Sequence, residues 1–344
     1  MSQKSIIHAV TASRSLGFFK LISTDLKDKG YEVLSLSSPG PELDAFKTAG
    51  HKTIPVPMER RMSPFKDLVS LFRLIKAFKK EKPYVVHSMT PKAGMLCMLA
   101  AWITRVPRRV HTFTGLVWPT ATGVSRKILM MTDWITCACA THVIPEGKGV
   151  MDDLRTHITK KPMKVLGYGN VRGVDMERFS LRPEIIESAA KIRKDGVFTF
   201  LFVGRIVRDK GINELVNAFQ LLNLEFPDTR LLLVGAYEEK LDPIKPESVQ
   251  VINTNSNIEH VGVKREDDLV AYYAASDCFV FPSYREGCPN TVMEAGAMGL
   301  PCVVTDINGS REIIIDGKNG VIIPYKDDDA LYQAMRDMLV EEDK

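Results

Sequence analysis

The chain has 344 residues, more than one hydrophobic core usually serves, so two domains of roughly 150–170 residues each are expected. Its 45% hydrophobic and 26% charged residues fit a soluble globular protein and exclude a disordered or fibrous chain, and no run approaches the ~20 apolar residues of a spanning helix. The net charge of +4 conceals an asymmetry: residues 1–110 hold 19 Lys and Arg against 8 Asp and Glu, and the remainder 27 against 34. A balance of +11 in the first third points to an anionic partner, whether phosphate, nucleic acid or membrane surface. Cys97, Cys137, Cys139, Cys278, Cys288 and Cys302 include no C-x-x-C pair and read as reduced thiols of a cytosolic protein. The opening apolar run is too short for a signal peptide, so the mature protein is expected to start here.

Strands are expected at Ser5–Val10, Tyr31–Leu36, Tyr84–Ser88, Arg109–Phe113 and His142–Pro145. Helical patterns lie between them at Phe18–Lys29, Pro64–Lys82, Lys92–Thr104 and Ser125–Ala140. Continuous apolar strands alternating with helices imply a parallel sheet covered on both faces. Residues 166–180 carry three glycines and no apolar period, and the domain linker is placed there, dividing the chain at 1–170 and 171–344.

The same rhythm restarts beyond it. Strands are expected at Phe198–Gly204, Arg230–Gly235, Ile258–Val261, Cys278–Pro282, Pro301–Thr305 and Gly320–Ile323. Helices are expected at Gly211–Phe226, Arg265–Ser276, from about Pro289, and at Asp328–Leu339. The fold class is therefore α/β, with two doubly wound parallel-sheet domains facing across a cleft at the carboxyl ends of both sheets.

Two segments bear on chemistry. In FPSYREGCPNTVMEAGAMGLP, Glu286 and Gly287 lie on a loop after a strand, Cys288 follows, and Pro289 suits a first helical turn. The N–H groups there suit a sugar hydroxyl or phosphate, and Glu294, about one turn further on, is in reach of a ribose diol. The bland alternative is two unrelated surface glutamates flanking a buried helix. In FVGRIVRDKG a buried strand ends at Gly204, and Arg205 and Lys210 follow on the loop. Two cations beside a helix N-terminus suit a diphosphate, though solvated loop charges would read the same way. Neither a P-loop nor a G-x-G-x-x-G fingerprint is present, which counts against a dinucleotide oxidoreductase.

Together VGRIVRDKG, LLLVGAYE, IEHVGV, AASDCFVFPSYREGCPNTVMEAGAMGLPCVVTD and INGSREIIIDGKNGVIIP resemble the group 1 bacterial glycosyltransferases, family 4 of the retaining enzymes with the GT-B fold. KGYEVLSLSSPGPEL, RRMSPFKDL, PYVVHSMTPKAG and GNVRGVDMERF extend the likeness through the first half. These four are similar to the subgroup that builds capsular and lipid-linked polysaccharides. The resemblance implies transfer of a sugar from a nucleotide-sugar, with a uridine diphosphate donor favoured, to a lipid-linked saccharide, and no nucleic-acid partner. It implies that Arg205 and Lys210 hold the diphosphate and stabilise the leaving charge. It implies that Glu286 contacts the transferred sugar with the N–H groups of Cys288 to Asn290 nearby, and that Glu294 binds the ribose. Gly262 and Val263 would offer backbone to the base, and Gly17 a close approach to phosphate. No metal or other cofactor is implied, so Asp327, Asp328 and Asp329 read as a helix N-terminal charge cluster.

The chain departs from the family in two places. HTFTG sets Thr114 where many members carry histidine, and His111, three residues upstream, is expected on the opposite strand face. His87 and His111 read as polar strand-end residues. The chain also stops soon after Asp328–Leu339, where relatives continue with a helix crossing back to the first domain. Within Pro64–Lys82, Phe65, Leu68, Val69, Phe72 and Ile75 form one apolar face, which Leu71, Leu74 and Phe78 widen. Lys66, Arg73, Lys76 and Lys80 line the other side. With the basic-flanked stretch Ala93–Arg109, this helix suggests peripheral binding to an anionic cytoplasmic membrane surface, against the alternative of a core-packed helix. A GT-B nucleotide-sugar 2-epimerase and a silent nucleotide-sugar-binding scaffold are the other functional readings.

Overall fold

The structure, a computed structural model, describes residues 3–238 and 242–340. The chain divides into two compact units, one through Arg172 and one from Gly173 on. The first holds strands β1 Ser5–Ala9, β2 Glu32–Ser37, β3 Lys52–Pro55, β4 Val85–Met89, β5 Arg108–Phe113 and β6 His142–Pro145. Its helices are α1 Lys20–Asp28, α2 Pro41–Thr48, α3 Pro64–Glu81, α4 Pro91–Ile103, α5 Gly123–Cys139 and α6 Lys148–His157. The second holds α7 Pro183–Ile192, β7 Phe198–Val203, α8 Ile212–Glu225, β8 Thr229–Val234, α9 Pro246–Thr254, β9 Ile258–Gly262 and α10 Glu266–Ala274. It continues through β10 Cys278–Phe281, α11 Asn290–Ala297, β11 Cys302–Thr305, α12 Ser310–Ile313, β12 Gly320–Ile323 and α13 Asp328–Val340.

Each unit has one wholly parallel six-stranded sheet, and the orders β3-β2-β1-β4-β5-β6 and β12-β11-β10-β7-β8-β9 are the same topology twice. The strand order reverses between β1 and β4 in one and between β7 and β10 in the other, where outgoing loops part and leave a crevice. β7, β8, β10 and β11 bury nearly every residue, as strands covered on both faces must. The second core runs from Phe200 and Phe202 through Phe219 and Leu231 to Phe279 and Leu331.

Some expectations are corrected. The helix expected at Phe18–Lys29 is present as α1, and a 3-10 segment, Ser13–Phe19, that was not anticipated leads into it. The edge strand β3 and the short helices α2, α6, α7, α9 and α12 were not anticipated. Asp327 accepts a hydrogen bond from the Ala330 N–H at 2.9 Å, so it caps the first turn of α13. All six cysteines are unpaired and buried. Among the described residues no helix is long and apolar enough to cross a membrane.

The apolar face expected on α3 is in fact two faces. Ser70, Leu74 and Phe78 are buried, while Phe65, Leu68, Val69 and Phe72 point to solvent, Phe65 being 88% exposed. Lys76, Lys79 and Lys80 are also exposed and follow along the same side of the helix. The solvent face of α3 is therefore apolar towards its N-terminus and basic towards its C-terminus. Lys92 at the start of α4 anchors it, with Nζ 2.6 and 2.7 Å from the two Asp67 carboxylate oxygens. Trp102 ending α4, and Met131 and Trp134 on α5, are exposed in the same unit.

Candidate active site

In the second unit the loops after β7, β8, β9 and β10 all leave from the carboxyl edge of one sheet. The β7 loop carries Arg205 and Lys210, and the β10 loop carries Glu286 and Gly287. Lys210 and Glu286 are 76 residues apart, yet the Lys210 ammonium donates to Glu286 Oε1 in a close ion pair with both side chains largely buried. Gly211 permits this approach. Its φ is +71°, and a Cβ there would lie 2.1 Å from the Pro282 carbonyl oxygen, so the β7 loop lies directly on the β10 loop.

Ser283, fully buried, donates to the same Glu286 Oε1 at 2.8 Å. Its own backbone carbonyl accepts from the Thr305 hydroxyl. Both donors therefore meet one carboxylate oxygen, and Oε2 has no hydrogen-bond partner among the described residues. The ammonium also lies 5.1 Å from the centre of the Phe281 ring. Arg285 and Asp209 pair across the two loops at 2.6 Å, and the Tyr284 N–H donates to the Asp209 carbonyl at 2.9 Å. The result is a rigid floor with a cation beside a half-engaged carboxylate.

Arg205 begins the β7 loop, its Nη1 bonded to Glu238 Oε2 at 2.5 Å. Pro289 directly precedes α11, whose N-terminal end meets this edge from the β10 loop. Glu294, in the second turn of α11, is buried and accepts from the Tyr273 hydroxyl at 3.1 Å. Burial, then the Glu294 charge, holds that phenol well above its usual range. Gly262 ends β9, and its carbonyl accepts from the Gly235 N–H at 2.9 Å; Val263 beside it is exposed. Gly204 and Gly235 touch so closely that a Cβ on the latter would sit 1.6 Å from the Gly204 oxygen.

The structure thus gathers Gly204, Arg205, Lys210, Gly262, Val263, Glu286, Gly287, Cys288, Pro289, Asn290 and Glu294 along the carboxyl edge of one sheet. Gly17 belongs to the first unit, inside the 3-10 segment after β1, with open space where its Cβ would be. Glu238 and Tyr273 escaped sequence reasoning, since each acts through a partner at least 21 residues away in the chain, and Ser283 was missed as well. Ser283 sits three residues before Glu286, so its place in the same loop was the available signal.

His111 is not a strand-end residue. It is buried within β5, its Nδ1 2.8 Å from the Ser88 hydroxyl and its ring against Gly94 of α4, while Thr114 lies just beyond the strand. His87 likewise lies within β4, its Nε2 2.8 Å from the Thr112 hydroxyl.

Two doubly wound units, each built on a parallel six-stranded sheet, make the GT-B fold. The chain matches the family model Glycosyltransferase Family 4 over residues 19–170 and Glycosyl transferases group 1 over residues 184–344. It is 32% identical to the capsular polysaccharide biosynthesis glycosyltransferase CapM of Staphylococcus aureus, over 99% of this chain and 89% of that protein. It is 31% identical to the UDP-Gal:alpha-D-GlcNAc-diphosphoundecaprenol alpha-1,3-galactosyltransferase of Escherichia coli, over 80% of this chain and 71% of that one. Anabaena HepE, solved in complex with UDP-glucose, superposes with a TM-score of 0.77 at 16% identity, covering 98% of this chain and 90% of that one. The chain belongs to glycosyltransferase family 4, the group 1 glycosyl transferases.

Proposed function

We propose that the chain is a retaining transferase that moves a sugar from a uridine diphosphate donor to a polyprenyl-diphosphate-linked saccharide. The carrying observation is the Lys210–Glu286–Ser283 arrangement, in which two donors hold one carboxylate oxygen and leave the other unengaged. A diphosphate beside Arg205 and Lys210 gains a fixed positive environment that grows in value as the glycosidic bond breaks and charge collects on the leaving oxygen. Glu286 Oε2 accepts from a hydroxyl of the transferred sugar, and Glu294, steadied by Tyr273, from the ribose. The N–H groups from Cys288 to Asn290 add positive dipole beside the phosphates, and Gly262 and Val263 meet the base.

The acceptor side of the reading rests on the first unit. The exposed apolar residues of α3 suit the acyl boundary of a bilayer, and its lysines suit anionic headgroups at the cytoplasmic leaflet, each worth about 1 kcal/mol near the surface. The test is incubation with labelled UDP-, GDP- and ADP-sugars and a polyprenyl-diphosphate saccharide in vesicles. Sugar transferred to lipid with its anomeric configuration kept is the expected result. An epimerised donor, or donor bound and never turned over, would overturn the reading. Flotation with anionic and neutral liposomes at low and high salt tests the membrane part: protein left in solution beside anionic liposomes at low salt would refute it.

A further inference from the structure

We propose that Glu238 is a positioning residue that holds the Arg205 guanidinium for the donor diphosphate; this rests on the reading that Arg205 meets that group. Arg205 follows β7 and Glu238 follows β8, and the two strands are neighbours paired from Phe198 and Thr229 to Val203 and Val234. Beyond the strands their loops stay joined. The Ile206 N–H donates to the Ala236 carbonyl at 2.9 Å, and Gly204 and Gly235 touch backbone to backbone. The two side chains therefore project from one rigid platform.

The contact itself is one-sided. Glu238 Oε2 takes the Nη1 of Arg205, and neither Nε nor Nη2 has a hydrogen-bond partner among the described residues. Nε and Nη2 make up the edge of the guanidinium that gives two parallel bonds to a phosphate. The Arg205 side chain is 37% exposed against 18% for Glu238, so the carboxylate is the fixed member and the guanidinium the one that needs fixing. An unheld arginine surrenders rotamer freedom when it binds an anion, and a held one has already done so. Lys210 is likewise held by a carboxylate, that of Glu286.

A carboxylate near a diphosphate also repels it, so the hold and the charge pull in opposite directions and substitutions separate them. Glu238→Ala removes the hold, and Glu238→Gln keeps an oxygen that accepts from Nη1 while discarding the charge. Titration calorimetry of UDP, GDP and ADP against wild type and both variants is the test, repeated in an Arg205→Ala background. The expected result is binding of the preferred nucleotide weakened about tenfold by Ala and restored to wild type or better by Gln, with no effect of either in the Arg205→Ala background. Glu238→Ala binding as tightly as wild type, Glu238→Gln as weak as Ala, or the same loss without Arg205 would each overturn the proposal. An Arg205→Ala protein that binds all three nucleotides like wild type would instead remove the donor reading beneath it.

Discussion

Acid should unfold the first unit through two histidines that have no part in the proposed chemistry. His8 on β1 is 1% exposed, stacked on Phe19 at 4.1 Å between ring centres, with Nδ1 2.9 Å from the Ser23 hydroxyl. His111 on β5 is equally buried. Burial, then repulsion from His87, lowers His8 to about 3 and His111 to about 3. His87 is lowered to about 4 by burial and would add a third such loss, but Asp133 on α5, its carboxyl raised to about 7 by burial, takes up a proton in the folded state as pH falls and offsets it. An unfolded histidine titrates near 6.5, so below that pH the unfolded chain binds protons that the folded one refuses, and stability falls with pH. The stabilisation is whole above pH 6.5 and drains away as pH drops towards the folded values. At pH 5 two such groups cost about 4 kcal/mol, a large share of the ~5–15 kcal/mol that holds a domain together. Hydrogen exchange at pH 7.5 and pH 5 reads this unit by unit. Protection in β1, β4 and β5 should fall by several hundredfold, and that in β7 and β8, a unit whose one histidine is His260, by far less. His8→Gln, which keeps a partner for Ser23, should halve the loss. Equal protection at both pH values, or an unchanged slope in the variant, would refute the reasoning.

Other consequences are local to the site. Gly211→Ala places a methyl against the Pro282 carbonyl at positive φ, so it should cost at least ~2 kcal/mol, read as a lower urea midpoint, and an unaltered midpoint would mean the loops are not in contact. Ser283→Ala should lower kcat about tenfold with a small change in donor KM, because Glu286 Oε1 loses one of its two donors and keeps only Lys210; a rise in KM alone would reassign Ser283 to binding. Glu286→Gln should reduce turnover far more than donor affinity, and wild-type kcat at saturating donor would end its proposed role. Arg205→Ala and Lys210→Ala should each raise the transition-state barrier by ~2 kcal/mol or more; activity within twofold of wild type for both would place the diphosphate elsewhere.

The sheets were legible in the sequence because a parallel strand buried on both faces reads as an unbroken apolar run, as FTFLFV and RLLLV do. Lys52–Pro55 was not, because an edge strand of four half-exposed residues carries no such run. The short helices α2, α6, α7 and α9 offer two turns or so each, too few for an apolar period to stand out. Arg205, Lys210, Glu286 and Glu294 could be named from residue type and from the family resemblance. That Lys210 and Ser283 share one oxygen of Glu286, and that Glu238 holds Arg205, follows from which strands are neighbours. Strand order is a property of the whole chain, since parallel neighbours such as β7 and β10 are separated by two intervening strands and their helices. α3 makes the same point. Its sequence contains two apolar stripes of comparable strength, and only the packing of Leu74 and Phe78 in the core leaves Phe65 and Phe72 facing water. Local pattern determined which segments became strands and helices; which face is buried and which charges meet was decided by tertiary contacts, because burial is settled by what the rest of the chain brings to each surface.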